Sequence, residues 1–253
     1  MGATDRQNGE RMVGRTAATP AVTREQIVAA ADAVARAEGI SSVTVRRVSA
    51  ALSVTAPALY WHLKDKNELM SLLVDRIASR VEHPAPSAGS WLHRLVEHYA
   101  SIRDVFGEYA GISGVLMTTE PREGTLRNCV YVVEVLVEAG LDQTAAASLF
   151  TSLSTLATGH LMMNDAARHQ PRSSARYAPN AGRLAELLEA RPDLIEFQRS
   201  LLELDDTTSR IQFLRGVELL IRGAATTAGV AAPRTAVVGA RKARPAGSSR
   251  RTA

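Results

Sequence analysis

The sequence predicts an all-α protein, a small N-terminal helix-turn-helix unit followed by a larger helical domain. Three observations carry this. Alanine and leucine recur at three- and four-residue spacing along most of the 253 residues, and strand-forming runs are few. Capping pairs and Pro/Gly breaks punctuate those periodic stretches at helix-length intervals. Between Thr44 and Lys66, TVRRVSAALSVTAPALYWHLKDK reads as two short helices joined by a tight turn. With 45% hydrophobic residues, the chain can bury a sizeable core in one large domain or two.

Residues 1–22 hold too little apolar content to fold and are expected to be a disordered extension. Thr23 and Gln26 form a capping box for a helix with Ile27, Ala31, Val34 and Ala35 inward, closed by Gly39. Thr44 caps the next, with Val45, Val48 and Leu52 on its apolar side. Ser53 and Val54 make the turn, and Thr55 caps a helix with Pro57 in its first turn, where a missing backbone donor does no harm. Leu59 and Leu63 then face inward, leaving Tyr60, Trp61 and His62 at or beside the outer face. Asp65 and Glu68 repeat the capping box ahead of Leu69, Leu72, Leu73, Ile77 and Val81.

Pro84, Pro86, Ser87 and Gly89 divide a 23–83 domain from an 84–230 domain. Trp91, Leu95, Tyr99, Ile102 and Phe106 predict a core-facing helix, and Ala110 to Met117 a short one. Pro121 to Gly140 is read as helix because its ends are capped, although Val130 to Val137 is β-branched enough to suggest a strand. Asp142 caps the longest helix, with Ala146, Leu149, Phe150, Leu153, Leu156, His160 and Met163 on a broad apolar surface. Asp165 to Asn180 reads as a mobile loop, followed by helices over Arg183 to Ala190, Asp193 to Leu204 and Ser209 to Thr227. The two long helices carry apolar faces broader than one core needs, which points to a subunit interface at Leu149, Leu153, Leu156, Leu214, Val217 and Ile221. From residue 231 onward Arg234, Arg241, Lys242, Arg244, Arg250 and Arg251 occur with no acid, as expected of a disordered basic tail.

Net charge is +4, concentrated at the chain ends. Cys129 is the only cysteine, which excludes an intrachain disulfide framework. MGATDRQNGE lacks the apolar core of a signal peptide and no uncharged stretch is long enough to span a bilayer, so a cytoplasmic protein with no membrane partner is expected. Nucleophile-elbow, dinucleotide, Walker and C-x-x-C motifs are all lacking, so neither an enzyme nor a cofactor is expected. His93, Glu97 and His98 are spaced one residue too widely for H-x-x-E-H, and no metal site is expected.

A steep helix pair with a tight turn suits a DNA major groove, where the second helix presents its N-terminal side chains to base edges. Ala56, Pro57 and Ala58 are the candidates against bases, with Trp61 partly structural. Arg46, Lys66, His62, the Thr44 and Thr55 hydroxyls and the Tyr60 phenol are candidates for the remaining contacts, many of them to phosphate.

A-P-A-L-Y-W-H-L-K-D-K, preceded by T-V-R-R-V-S-A-A-L-S-V, resembles the DNA-binding signature of the TetR (tetracycline repressor) family. The resemblance runs from Thr23 through Arg80, and more loosely, to the tetracycline-repressor branch, as far as about Thr227. It implies a ligand-responsive transcriptional regulator, usually a repressor, that binds a palindromic operator as a homodimer joined by a four-helix bundle and is released by a small molecule. A regulator or architectural protein without small-molecule control is the alternative. The resemblance places an effector against His98, Ile102, Leu116, Thr119, Val133, Phe150, Thr155 and Met163, and has the Gly111 to Thr119 helix shift against the linking helix Lys66 to Val81. Three departures matter. Ala56 and Ala58 replace hydrogen-bonding side chains, so the operator should differ. Leu116 and Met163 stand where that branch holds a magnesium-bound drug with a histidine and a glutamate, and Glu82 replaces a drug-contacting histidine. A metal-independent, largely hydrophobic effector oriented by His98 and Thr119 is therefore expected.

Overall fold

The computed structural model describes residues 22–168, 181–189, 191–194, 196 and 206–233. The expected N-terminal extension, residues 169–180 of the expected loop, most of the basic tail and most of the Asp193 to Leu204 helix lie outside these. Among the described residues every regular element is helical: α1 Arg24–Glu38, α2 Val45–Ala51, α3 Ala56–Tyr60, α4 Lys66–Ala78, α5 Trp91–Gly107, α6 Ile112–Leu116, α7 Glu123–Glu138, α8 Gln143–Arg168, α9 Ala181–Leu188 and α10 Asp206–Thr227. None of them is long and apolar enough to cross a membrane.

Caps set these boundaries. Thr23 and Gln26 form the full capping box on α1, Thr44 Oγ1 accepts from the Arg47 amide at 3.0 Å, and Asp65 accepts from the Glu68 amide at 2.8 Å. Thr55 sits at the N-cap of α3 but makes no side-chain cap bond, which corrects the expectation that it caps. The turn before it contains Ser53 at φ 55, a left-handed conformation rare outside glycine. The β-branched stretch of α7 is helical throughout.

The first core joins Ile27, Ala31, Val34, Val48, Leu59, Leu63, Leu69, Leu73 and Ile77, and the α5–α6 corner closes it with Phe106, Tyr109 and Ile112. The second joins α5, α7, α8 and α10 through Leu95, Tyr99, Leu136, Leu149, Leu153, Val217 and Ile221, and Ile102 packs against both. Two expectations change here. Leu153, Val217 and Ile221 are 0% exposed within one protomer, and Leu149 and Leu214 are buried as well. These residues are the α8–α10 seam, and a surface between copies cannot be built from them. Asp165 is not in a loop: α8 continues to Arg168, and the buried Asp165 carboxylate accepts from the Gly111 and Ser113 amides at 2.8 and 3.0 Å.

Candidate DNA-reading face and effector region

On the N-terminal head the core takes the apolar side of α2 and α3 and leaves a polar, aromatic edge outside. Trp61 is 89% exposed, so it fills no core, and the expectation of a partly structural Trp61 is corrected. Tyr60, His62, Lys66, Thr44, Thr55 and Pro57 are exposed beside it. Ala56 packs partly against the core and Ala58 is half-buried, so Pro57 is the outermost of the three residues expected against bases. The two adjacent arginines of α2 differ. Arg47 is tied to Glu38 at 2.5 Å, whereas exposed Arg46 has no acidic partner among the described residues and can meet a phosphate. Thr44 uses an oxygen lone pair for its cap, which leaves its O–H to donate.

Behind the head, the expected effector residues divide. His98 is buried, Ile102 sits between the two cores, and Phe150 packs on the second core. Leu116 rests on the first core, and half-buried Thr119 donates through Oγ1 to the Val115 carbonyl at 2.9 Å. Val133, Thr155 and Met163 are exposed in the single protomer. Val133 belongs to an outer stripe of α7 with Leu126, Val130 and Val137. The N-terminal part of that stripe, with His83, Arg127 and Tyr131, borders an open groove of about 350 Å³.

Several residues that periodicity did not single out connect the two domains. Asp75 on α4 accepts from the Gly124 amide at the start of α7 at 2.6 Å. A side chain at Gly124 would fall on Ser79 Oγ and within 2.6 Å of the Asp75 carbonyl, so only glycine allows that approach. Tyr109 donates to Asp32 of α1 at 2.5 Å and accepts from Arg80 at 2.9 Å, and Arg80 also pairs with Glu108 at 2.8 Å. Burial pushes the Tyr109 phenol up to about 12, with Asp32 acting in the same direction, so it remains a donor at neutral pH. The Ile40 amide donates to the Ala110 carbonyl at 2.9 Å, one residue from the amide Asp165 grips. A polar residue interrupting an apolar helical stripe, as Asn128 and Asp165 do, is the sequence signal that marks such contacts.

A second polar cluster centres on buried Arg103, which pairs with exposed Asp206 and donates to His160 Nε2 at 3.2 Å. Burial first, and Arg103 second, push His160 down to about 4. It is thereby kept neutral and able to accept.

Both halves of the chain match known proteins. Residues 27–73 match the model described as "Bacterial regulatory proteins, tetR family", and residues 83–228 match "Tetracyclin repressor-like, C-terminal domain". An HTH-type transcriptional regulator of Saccharopolyspora erythraea is 27% identical over 213 residues, covering 83% of this chain and 88% of that protein. The class D tetracycline repressor protein of Escherichia coli is 28% identical over 205 residues, covering 80% of this chain and 88% of the repressor. Among solved structures, the Streptomyces coelicolor TetR family protein ActR in complex with actinorhodin superposes with a TM-score of 0.69 at 26% identity, covering 82% of this chain and 99% of ActR. With a reading head and a helical domain that each match, this chain belongs to the TetR family of bacterial transcriptional regulators.

Proposed function

We propose that this protein is a homodimeric repressor that holds a palindromic operator through two copies of the α2–α3 edge and leaves it when a small, largely hydrophobic molecule enters the second domain. It performs no chemistry on that molecule, needs no cofactor, and acts in the cytoplasm. Arg46, Tyr60, His62, Lys66 and the Thr44 and Thr55 hydroxyls hold the backbone and groove edges, with Pro57 and Trp61 against bases and sugars. His98, Ile102, Leu116, Thr119 and Phe150 serve the effector, and Val133, Thr155 and Met163 join them only where a second copy closes over the outer faces of α7 and α8.

The observation that carries this reading is the double grip on the α5–α6 corner. Asp165 of α8 holds the Gly111 and Ser113 amides, while Ile40 and Asp32 of the head hold the Ala110 carbonyl and the Tyr109 hydroxyl. A ligand that displaces α8 relative to α5 therefore moves a segment bonded directly to the head. Two heads about one DNA turn apart tolerate little such movement. A 100-fold loss of operator affinity requires a coupling of about 3 kcal/mol, at the upper end of the usual allosteric range. The copies would meet through the exposed residues flanking the seam: Met162 and Met163 on α8, and Ile211, Leu219 and Leu220 on α10.

The test selects the operator from random duplexes and measures its release by a panel of apolar molecules without metal, and by tetracycline with magnesium. Release by an apolar member is expected. Release only by the magnesium complex overturns the metal-independent reading, and release by nothing in the panel favours a regulator without small-molecule control.

A further inference from the structure

Glu82, His83 and Pro84 form the strap that carries the chain from the linking helix to α5, and side chains of α5 and α7 fasten it. Ser101 Oγ accepts from the Glu82 amide at 2.8 Å. His98 Nδ1 lies 2.8 Å from the Glu82 carbonyl, His83 Nε2 lies 2.7 Å from Asn128 Oδ1, and the Tyr131 hydroxyl donates to the Pro84 carbonyl at 2.8 Å. These partners fix the protons. A carbonyl oxygen can only accept, so His98 Nδ1 carries hydrogen. Asn128 donates through Nδ2 to the Ala78 carbonyl at 3.2 Å, which leaves its Oδ1 to accept from His83.

His98 is 0% exposed. Burial pushes it down to about 4, the Glu82 carbonyl opposes that, and His83 adds slightly to it, so the ring is neutral at pH 7. A neutral ring protonated on Nδ1 presents a bare lone pair at Nε2, and that buried atom has no hydrogen-bond partner among the described residues. Buried acceptors of this kind are few in native proteins. The rings of Tyr131, His83 and Tyr99 pack around the His98 ring at centroid distances of 4.7, 5.4 and 5.7 Å, so a ligand that reaches Nε2 would meet aromatic rings.

We propose that the effector is an uncharged aromatic molecule with a phenolic hydroxyl, and that His98 Nε2 accepts the hydrogen bond from it. This rests on the effector reading above. A carboxylate or an ether would set lone pair against lone pair and be excluded. The same ring that receives the ligand holds the strap, and a donor at Nε2 polarises the imidazole and strengthens the Nδ1–H bond to Glu82. Ligand is thereby felt at the C-terminal end of α4.

The test uses the full chain and two matched pairs of probes: 2-naphthol with 2-methoxynaphthalene, and 2-hydroxyanthraquinone with 2-methoxyanthraquinone. Calorimetry should show each phenol bound at least about tenfold more tightly than its ether, a preference worth about 1.4 kcal/mol. His98→Asn keeps a donor for the Glu82 carbonyl but has no acceptor where Nε2 lies, so the preference should fall to about twofold or less. Equal binding of phenol and ether by the unaltered protein overturns the donor assignment and leaves the effector reading intact. A preference that survives in His98→Asn overturns it too. Binding of neither pair also overturns it, and the effector reading then stands or falls on the operator-release panel. Should His98→Asn fold poorly, the phenol-to-ether ratio in the unaltered protein decides without it.

Discussion

In the DNA-reading head, the polar and aromatic side chains assigned to function stand outside a core built from Ile27, Val34, Leu59, Leu73 and Ile77. In the domain behind it, His98, Arg94, Arg103, Asn128 and Asp165 are buried inside. The difference separates two kinds of residue. On the head, most of these side chains can change without touching the fold, because they face outward; Thr44, whose hydroxyl caps α2, is the exception. In the second domain, a change alters packing and hydrogen bonding together, because a buried group such as His98 also fastens a neighbouring segment of the chain.

Leu153→Glu places a carboxylate in the fully buried seam and should cost about 4 kcal/mol or more, giving misfolded protein by circular dichroism. Leu219→Glu, at a position 71% exposed, should leave the protomer folded and shift sedimentation from dimer to monomer. A folded Leu153→Glu dimer would mean that the seam is misplaced. An intact Leu219→Glu dimer would move the interface off this face of α10.

Acid should expose the buried histidines next. His98 and His160 are both pushed down to about 4 from the ordinary 6.5, chiefly by burial, so below that value the unfolded chain binds protons that the folded chain refuses. Their contribution is complete above about pH 6.5 and is lost as the pH falls toward about 4. For fully buried His98 this is about 3 kcal/mol by pH 4, at about 1.4 kcal/mol per tenfold change in proton affinity. Half-buried His160 contributes less, because solvent screens it. Urea titrations at pH 7 and pH 4.5 should show the drop, and His98→Asn should flatten it. An equally steep loss in that variant would assign the pH dependence to carboxylates.

Much of the head was legible in the sequence because its determinants are local. A capping box followed by Ile27, Ala31, Val34 and Ala35 states both where α1 starts and which side it buries. The second domain was legible only as helices. An apolar stripe says that a face is covered but not by what, so Leu153, Val217 and Ile221 were expected between copies when their own chain covers them. Asp165 was expected in a loop because Pro171, Ser173, Ser174 and Pro179 follow it, and the partner that holds it, a pair of amides 52 and 54 residues away, leaves no local trace. His98 was singled out only through the family resemblance, since its strap contact spans 16 residues and leaves no periodic trace.

A smaller effect concerns the turn of the head. Ser53 holds φ 55, which costs a non-glycine residue about 1 kcal/mol or more. Ser53→Gly should raise the melting temperature by a few degrees, with operator affinity unchanged, because no assigned DNA contact lies there. A drop in affinity on gel shift would bring the turn itself into the interface.

The smallest effect on stability is the sharpest test of the exposed edge. Lys66 opens α4, where a positive charge opposes the helix dipole, and it forms no ion pair among the described residues. Folding alone gives no reason for a cation there. Lys66→Ala should leave stability unchanged or raise it by a few tenths of a kcal/mol. Operator binding should weaken on every sequence, and the dependence of log affinity on log salt should flatten by about one phosphate contact. If the variant melts lower and the salt slope stays the same, Lys66 supports the fold and the DNA-facing edge ends before α4.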